Sequence, residues 1–150
     1  MDRARLGRDR ARHLRSFRIG RRSRGTVDRF CFTDRRQIRI GYPGTRLRRG
    51  FGRSFKRRFT TTKAVLILTS SKRFKVGGVR VGSSTRTLRR KLGRKVRGVR
   101  VGRNVWYAKR GSKARLVYKV RGRKVYEVGI ADRTLNSTRA RQKKFFNSFR

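Results

Sequence analysis

Positive charge is the feature that most constrains how this chain can fold. The sequence holds 49 Lys and Arg residues against six Asp and Glu, a formal net charge of +43 on 150 residues. Folding must overcome the mutual repulsion of these charges, so we expect salt or a bound anion to stabilise the folded form. Such a chain attracts polyanions and can exchange condensed counterions for phosphate contacts. The charge therefore indicates an acidic partner before any motif is considered.

Composition permits a small domain with a thin core. Hydrophobic residues make up 34% of the chain, below the usual level of about 45–50% in globular proteins. The length suits one domain of ordinary size or two very small ones. We expect a single domain over residues 26–150.

The first 25 residues are dense in Arg and lack a sustained hydrophobic period. This pattern predicts a flexible basic arm over residues 1–25, and a short helix over residues 3–17 is the competing interpretation. The segment has no apolar run of the signal-peptide kind, and no stretch of the chain is apolar enough to span a membrane. The sequence as written predicts a cytoplasmic protein, whereas a misassigned start codon would leave export open.

A repeat sets the expected architecture. Residues 38–52 align without gaps on residues 79–93. The two stretches share the Gly that ends a strand, a Leu-Arg-Arg triplet and a closing Gly. Arg matches carry little weight in an Arg-rich chain, so the paired Gly and Leu positions carry the argument. They predict duplicated units over about 36–77 and 78–131, each built as strand, Gly turn, short helix and Gly stop.

The remaining elements follow from local patterns. Two strands are predicted around a turn at residues 34–37, and a meander is predicted up to residue 131, with its last turn at residues 121–124. In the second copy Ser83 or Ser84 caps a helix whose apolar stripe is Leu88 and Leu92, and Gly93 ends it. A last helix over residues 136–149 would cover the core with Phe145, Phe146 and Phe149 and turn Lys143 and Lys144 outward. The predicted fold class is α+β: two duplicated helix plus antiparallel-strand units forming one sheet-based domain, with a C-terminal helix and a basic N-terminal arm.

Several short motifs of the second copy resemble one known family. They are Gly82-Ser83-Ser84, Leu88, Leu92-Gly93, Trp106-Tyr107 and the strand ending Val125-Tyr126-Glu127-Val128. Together they resemble the helix-plus-three-strand unit of the SmpA/OmlA (BamE-like) family, and a tandem of two such units is similar to the beta-lactamase-inhibitor-protein fold. The stretches at 101–107 and 127–132 are similar to uncharacterised exported actinobacterial proteins. The resemblance covers about residues 36–131 and implies a non-enzymatic binding module of the cell envelope.

The sequence argues against catalysis. His13 is the only histidine and lies in the predicted arm, which leaves no ordered base for a nucleophile. The six carboxylates are scattered, without the spacing of a helical acid–base or metal-binding pair. Cys31 is the only cysteine, which excludes an intramolecular disulfide and a Cys-based zinc site, and its Phe30 and Phe32 neighbours predict a buried inert thiol. We expect no enzyme activity, no metal and no cofactor.

Candidate binding residues are therefore cationic. The two predicted helices and the strand around Trp106 supply them: Arg48, Arg49, Arg89, Arg90, Lys91, Arg103, Lys109 and Arg110. Trp106 and Tyr107 point to opposite faces of a strand, so we expect Trp106 in the core and Tyr107 at the surface, where it could stack on a nucleobase.

The sequence thus predicts a non-catalytic polyanion-binding protein that contacts the backbone of RNA or DNA with little sequence specificity. The alternative is a cell-envelope protein-interaction module with affinity for anionic lipid or cell-wall polymer. A degenerate reading frame without a stable function is a third interpretation.

Overall fold

One large antiparallel sheet forms the centre of the protein. The structure is a computed structural model that describes residues 6, 9–11, 21–31, 36–49, 51 and 60–149. The sheet has eight strands: β1 (Arg21–Arg24), β2 (Val27–Cys31), β3 (Gln37–Gly41), β4 (Leu66–Thr69), β7 (Val99–Val101), β8 (Asn104–Arg110), β9 (Arg115–Arg121) and β10 (Lys124–Ala131). Their order across the sheet is β1-β2-β3-β4-β10-β9-β8-β7.

The other described elements are short. Strands β5 (Lys75–Val76) and β6 (Val79–Arg80) form a separate hairpin. The helices are α1 (Thr45–Arg49), α2 (Thr85–Leu92) and α3 (Arg139–Asn147). The predicted α+β class, antiparallel sheet and C-terminal helix are confirmed. None of the described helices has the length and apolar run that a membrane crossing needs.

The earlier strands β1–β4 and the later strands β7–β10 meet in the middle of the sheet. Strand β4 pairs with β10, and Leu68 lies opposite Gly129. A Cβ atom on Gly129 would overlap the backbone oxygen of Ile67. Glycine at this position therefore permits the close approach that joins β1–β4 to β7–β10.

Helix α3 covers one face of the sheet. Phe146 stacks on Trp106 with 4.6 Å between ring centroids, and Phe145 and Phe149 complete the aromatic cluster. All four side chains are buried. The predicted role of the C-terminal Phe residues as a cap over the core is confirmed.

Helix α2 and the β5–β6 hairpin cover the opposite face. Leu88 and Leu92 of the helix are buried in a cluster that includes Tyr107 and Tyr118. The side chain of Ser84 caps the helix by accepting a hydrogen bond from the Thr87 amide. The predicted apolar stripe is confirmed, and of the two predicted caps, Ser83 and Ser84, the structure has Ser84.

The hairpin between β9 and β10 turns where the sequence predicts it. Its two central residues, Gly122 and Arg123, have φ angles of 54° and 62°. Positive φ at both central positions is the type I′ geometry that suits the twist of two paired strands. Arg123 is the one described non-glycine residue in the left-handed region.

The predicted duplication is not confirmed at the level of the sheet. The aligned leucines Leu47 and Leu88 are both buried, but their clusters lie on opposite faces. Strand β3 belongs to the large sheet, whereas the aligned β6 belongs to the small hairpin. The two stretches thus share a local pattern but not a position in the fold.

The described part of the predicted N-terminal arm is structured. Strand β1 pairs with β2. The Arg10 guanidinium makes two hydrogen bonds to the Asp28 carboxylate, at 2.9 and 2.6 Å. Residues 1–5, 7–8 and 12–20 lie outside the described residues. A flexible arm was expected at residues 9–11 and 21–25, but Arg10 binds Asp28 and residues 21–24 form a strand of the sheet.

The thiol of Cys31 is exposed, and the prediction of a buried cysteine is wrong. Phe30 is buried at 1% exposure and β2 alternates in burial, so its neighbour Cys31 points to the other side of the strand. The apolar neighbours suggested burial, but the alternation of side chains along the strand places Cys31 on the exposed side.

The buried hydroxyl of Tyr118 gives a testable pH dependence. It donates to the Val76 carbonyl at 2.9 Å, and burial raises the pKa of Tyr118 to about 12. A tyrosine whose pKa is raised in the folded state keeps its proton at a pH where the unfolded chain has already released it. The free energy of unfolding therefore falls as the pH rises from the unfolded pKa, about 10, to the folded pKa. We expect urea unfolding to show a fall in stability between these values, and Tyr118→Phe to lack that part of the fall. An identical pH profile for the variant would contradict the assignment.

Candidate functional site

Most described carboxylates point inward. Asp28 and Glu127 are completely buried. Asp132 accepts hydrogen bonds from the backbone amides of Thr134 and Leu135. Asp9 is the one exposed carboxylate in the described part of the chain, and it accepts from the Thr62 hydroxyl at 3.4 Å. The described acids therefore stabilise mainly the interior of the protein.

A buried ionic cluster lies between the sheet and α3. The Glu127 carboxylate accepts from Arg39 at 2.8 Å and from the Lys119 ammonium at 2.9 Å. Arg39 also donates to the Phe149 carbonyl at 2.8 Å. Burial lowers the pKa of Lys119, and the nearby Glu127 carboxylate opposes that shift. Two cations thus share one carboxylate, which leaves the cluster with excess positive charge.

The Arg10–Asp28 pair is a second ion pair formed by a buried carboxylate. The hydrogen bond to Asp28 raises the pKa of Arg10 against the opposing effect of burial. The guanidinium also lies 5.2 Å from the ring centroid of Tyr42. This pair attaches the N-terminal segment to β2.

The predicted cations of α2 do form a cluster. Arg89, Arg90 and Lys91 are exposed in its last turn. The Lys109 ammonium donates to the Lys91 carbonyl at 3.0 Å, which brings β8 to the end of the helix. Among the described residues, none of these four cations has a carboxylate within ion-pair distance. We call Arg89, Arg90, Lys91 and Lys109 the α2 patch.

The other predicted cations lie elsewhere. Arg49 is exposed and Arg48 half-buried on α1, on the face that α3 also covers. Arg103 and Arg110 sit near opposite ends of β8. Arg110 pairs across the strands with Arg115, whose pKa is lowered by burial and by the Arg110 charge. The predicted set is thus spread around the domain instead of gathered on one face.

Tyr107 does not supply an accessible ring. It is only 8% exposed and belongs to the core cluster under α2, while Trp106 is completely buried under α3. The prediction that one ring of this pair lies at the surface is wrong, because helices cover both faces of β8.

The exposed ring is Tyr126, which is not among the predicted binding residues. It is 43% exposed and is the one large hydrophobic side chain among the described residues that is exposed to solvent. The Arg121 guanidinium lies 5.1 Å, and the Lys119 ammonium 5.8 Å, from its ring centroid. A bulge between Val125 and Glu127 interrupts the pairing with β9 at this residue. Strand alternation alone cannot reveal the bulge, so the sequence carried no clear signal for this site.

A basic groove runs between α3 and the edge strand β7. Its volume is about 420 Å³, and its lining is Arg100, Val101, Gly102, Ala140, Lys143, Lys144 and Asn147. A second groove, of about 360 Å³, lies on the other side of α3, and Lys144 and Asn147 line it too. The exposed helix face between them therefore presents cations and an amide to any ligand that enters either groove.

The described residues contain no group of three or more His, Cys, Asp or Glu side chains arranged to hold a metal ion. The described carboxylates already take part in the ion pairs and hydrogen bonds given above. Hydrogen-bond donors and cations thus dominate the surface of the described residues, and such a surface suits anionic ligands.

Comparisons with protein-family models and with curated proteins give no match. Among solved structures, an extracellular protein containing an SCP domain from Bacillus anthracis str. Ames aligns with a TM-score of 0.41 at 11% identity. The alignment covers 85% of this chain and 44% of that chain. Similarity at this level carries no argument about function. The resemblance to the SmpA/OmlA family stays a prediction.

Proposed function

We propose that the protein is a non-catalytic polyanion-binding protein whose main ligand is the sugar–phosphate backbone of nucleic acid. The observation that carries this proposal is the separation of charge. Asp28 and Glu127 are buried in pairs with cations, whereas the α2 patch has no carboxylate partner among the described residues. Uncompensated Lys and Arg side chains release counterions when they meet phosphates.

The spread of the cations supports binding with little sequence specificity. The α2 patch lies on one face of the sheet, and the grooves beside α3 lie on the other. Contacts of Lys and Arg with phosphates set the position of a nucleic acid without reading its bases. A protein of this kind is suited to contact several segments of a folded or packaged nucleic acid.

The origin of the domain by duplication is part of the same proposal. The matched stretches 38–52 and 79–93 and the equivalent burial of Leu47 and Leu88 support it. In that case Arg48-Arg49 and Arg89-Arg90 are equivalent cations, which now serve opposite faces of the sheet.

Salt dependence tests the proposal. Affinity for a short DNA duplex is measured by fluorescence anisotropy between about 50 and 400 mM KCl. We expect the logarithm of the association constant to fall linearly with the logarithm of salt concentration and to change little with sequence. The triple variant Arg89→Ala, Arg90→Ala, Lys91→Ala should reduce the slope by up to about 2.7, which corresponds to three phosphate contacts.

The matched control keeps the charge. Arg89→Lys combined with Arg90→Lys should leave the slope unchanged, because the number of phosphate contacts is the same. Both variants should fold, since Leu88 and Leu92 still hold the helix. Binding that survives high salt or depends strongly on sequence would contradict the proposal. Stronger binding to anionic lipid vesicles than to nucleic acid at equal salt would favour the envelope alternative.

A further inference from the structure

The ring of Tyr126 is held in a fixed position at the surface. The Arg121 guanidinium beside it is oriented by a hydrogen bond to the Asn104 side-chain oxygen at 3.0 Å. The Lys119 ammonium near it is fixed by the Glu127 carboxylate and also lies 5.3 Å from the Trp106 ring centroid. Each cation near the ring therefore has its own anchor, which restricts the motion of the ring before any ligand binds.

The backbone explains why this aromatic side chain is exposed. Strand β10 pairs with β9 at Val125 and again at Glu127, and the register shifts between them. A bulge of this kind redirects the side chain of the extra residue. Val125 and Glu127 are both buried, whereas Tyr126 is 43% exposed.

Cations surround this ring at one end of the sheet. The β7–β8 turn at residues 102–103 and the β9–β10 turn at residues 122–123 lie side by side, because Arg121 and Asn104 are in contact. Arg103, Arg123 and Lys124 are exposed there. Gly102 of the first turn also lines the basic groove beside α3. A cationic path thus leads from the groove to the ring.

We propose that Tyr126 is a stacking platform for an unpaired nucleobase and that the preferred ligand is single-stranded nucleic acid. This inference rests on the proposed function and specifies its ligand class. Proteins that bind single strands combine a basic groove that follows the backbone with aromatic rings on which bases stack. The bases of a duplex are already stacked on one another, so a duplex engages only the cations.

The test compares oligo(dT) of about twenty nucleotides with a duplex of similar length. Dissociation constants are measured at physiological ionic strength for the unaltered protein, Tyr126→Ala and Tyr126→Phe. We expect Tyr126→Ala to weaken binding of the single strand by about 5- to 150-fold, the range typical of removing one stacking side chain. Its affinity for the duplex and its salt slope should stay unchanged, since no charge is removed.

Tyr126→Phe is the matched control, because it keeps the ring and removes only the hydroxyl. It should bind the single strand within about twofold of the unaltered protein. Equal losses for single strand and duplex in Tyr126→Ala, or no loss for either, would overturn the inference while leaving the proposed function intact. If the unaltered protein binds neither probe with a steep salt dependence, the proposed function itself fails.

Discussion

Replacing Glu127 by Gln is expected to lower the free energy of unfolding by about 3–5 kcal/mol, because it leaves two buried cations without their shared counterion. Arg39 and Lys119 are both almost inaccessible to solvent, and Glu127 is completely buried. The amide of Gln can still accept a hydrogen bond, so the loss reports mainly the missing charge. Urea denaturation of the two proteins measures the difference.

The matched control is Lys119→Met, which removes the second cation and keeps an unbranched side chain of similar length. It leaves one Arg and one carboxylate, a neutral pair, and we expect a much smaller change in stability than for Glu127→Gln. The double variant should be more stable than Glu127→Gln alone, because it lacks one of the two uncompensated charges. If Glu127→Gln alone costs less than about 1 kcal/mol, the carboxylate does not neutralise these cations in the folded state.

The pH dependence of Glu127→Gln has a definite sign. Burial lowers the pKa of Lys119, and the Glu127 carboxylate opposes this. Without the carboxylate, Lys119 releases its proton more readily in the folded protein, while the unfolded chain holds it up to a pH of about 10. The unfolded state then binds more protons, so the stability of the variant should rise with pH and approach that of the unaltered protein.

The internal placement of acids connects stability with the proposed function. Each buried carboxylate offsets part of the charge repulsion that opposes folding. Asp28 and Glu127 do this inside the protein, where they do not neutralise the α2 patch. The α2 patch and the grooves beside α3 keep their full charge for ligands. Anions that bind there also favour the folded state, because they bind the folded form preferentially.

Local patterns in the sequence predict the elements well. Leu88 and Leu92 at helical spacing identify the buried stripe of α2, and Gly122-Arg123 marks a hairpin turn. The three C-terminal Phe residues predict an apolar cap, and α3 provides it. Each of these features depends on residues that are close in the sequence.

Features that depend on distant contacts were not predictable. Tyr107 is buried because α2 covers its face of β8, and nothing in the local sequence shows where α2 docks. Tyr126 is exposed because of a bulge that only the pairing of β9 with β10 reveals. The ionic cluster joins Arg39 to Glu127 across 88 positions of the chain. The candidate stacking site therefore required the structure.

Replacing Phe146 by Ala should lower the free energy of unfolding by about 3–5 kcal/mol, the usual cost of removing a buried Phe side chain. The ring is completely buried and stacks on Trp106 with an interplanar angle of 11°. Phe146→Leu keeps most of the volume and should cost clearly less. Lys143→Ala on the exposed side of the same helix should change stability by no more than about 0.5 kcal/mol.

The fluorescence of Trp106 is the natural probe, since it is the sole tryptophan and its indole lies against this ring. Because α3 carries Lys143 and Lys144 into the basic groove, Phe146→Ala should also weaken the proposed nucleic-acid binding under conditions where the variant starts to unfold. Phe146→Leu should bind normally under the same conditions. A loss of binding in Phe146→Leu with unchanged stability would mean that the position of α3, and not only its presence, determines the shape of the groove.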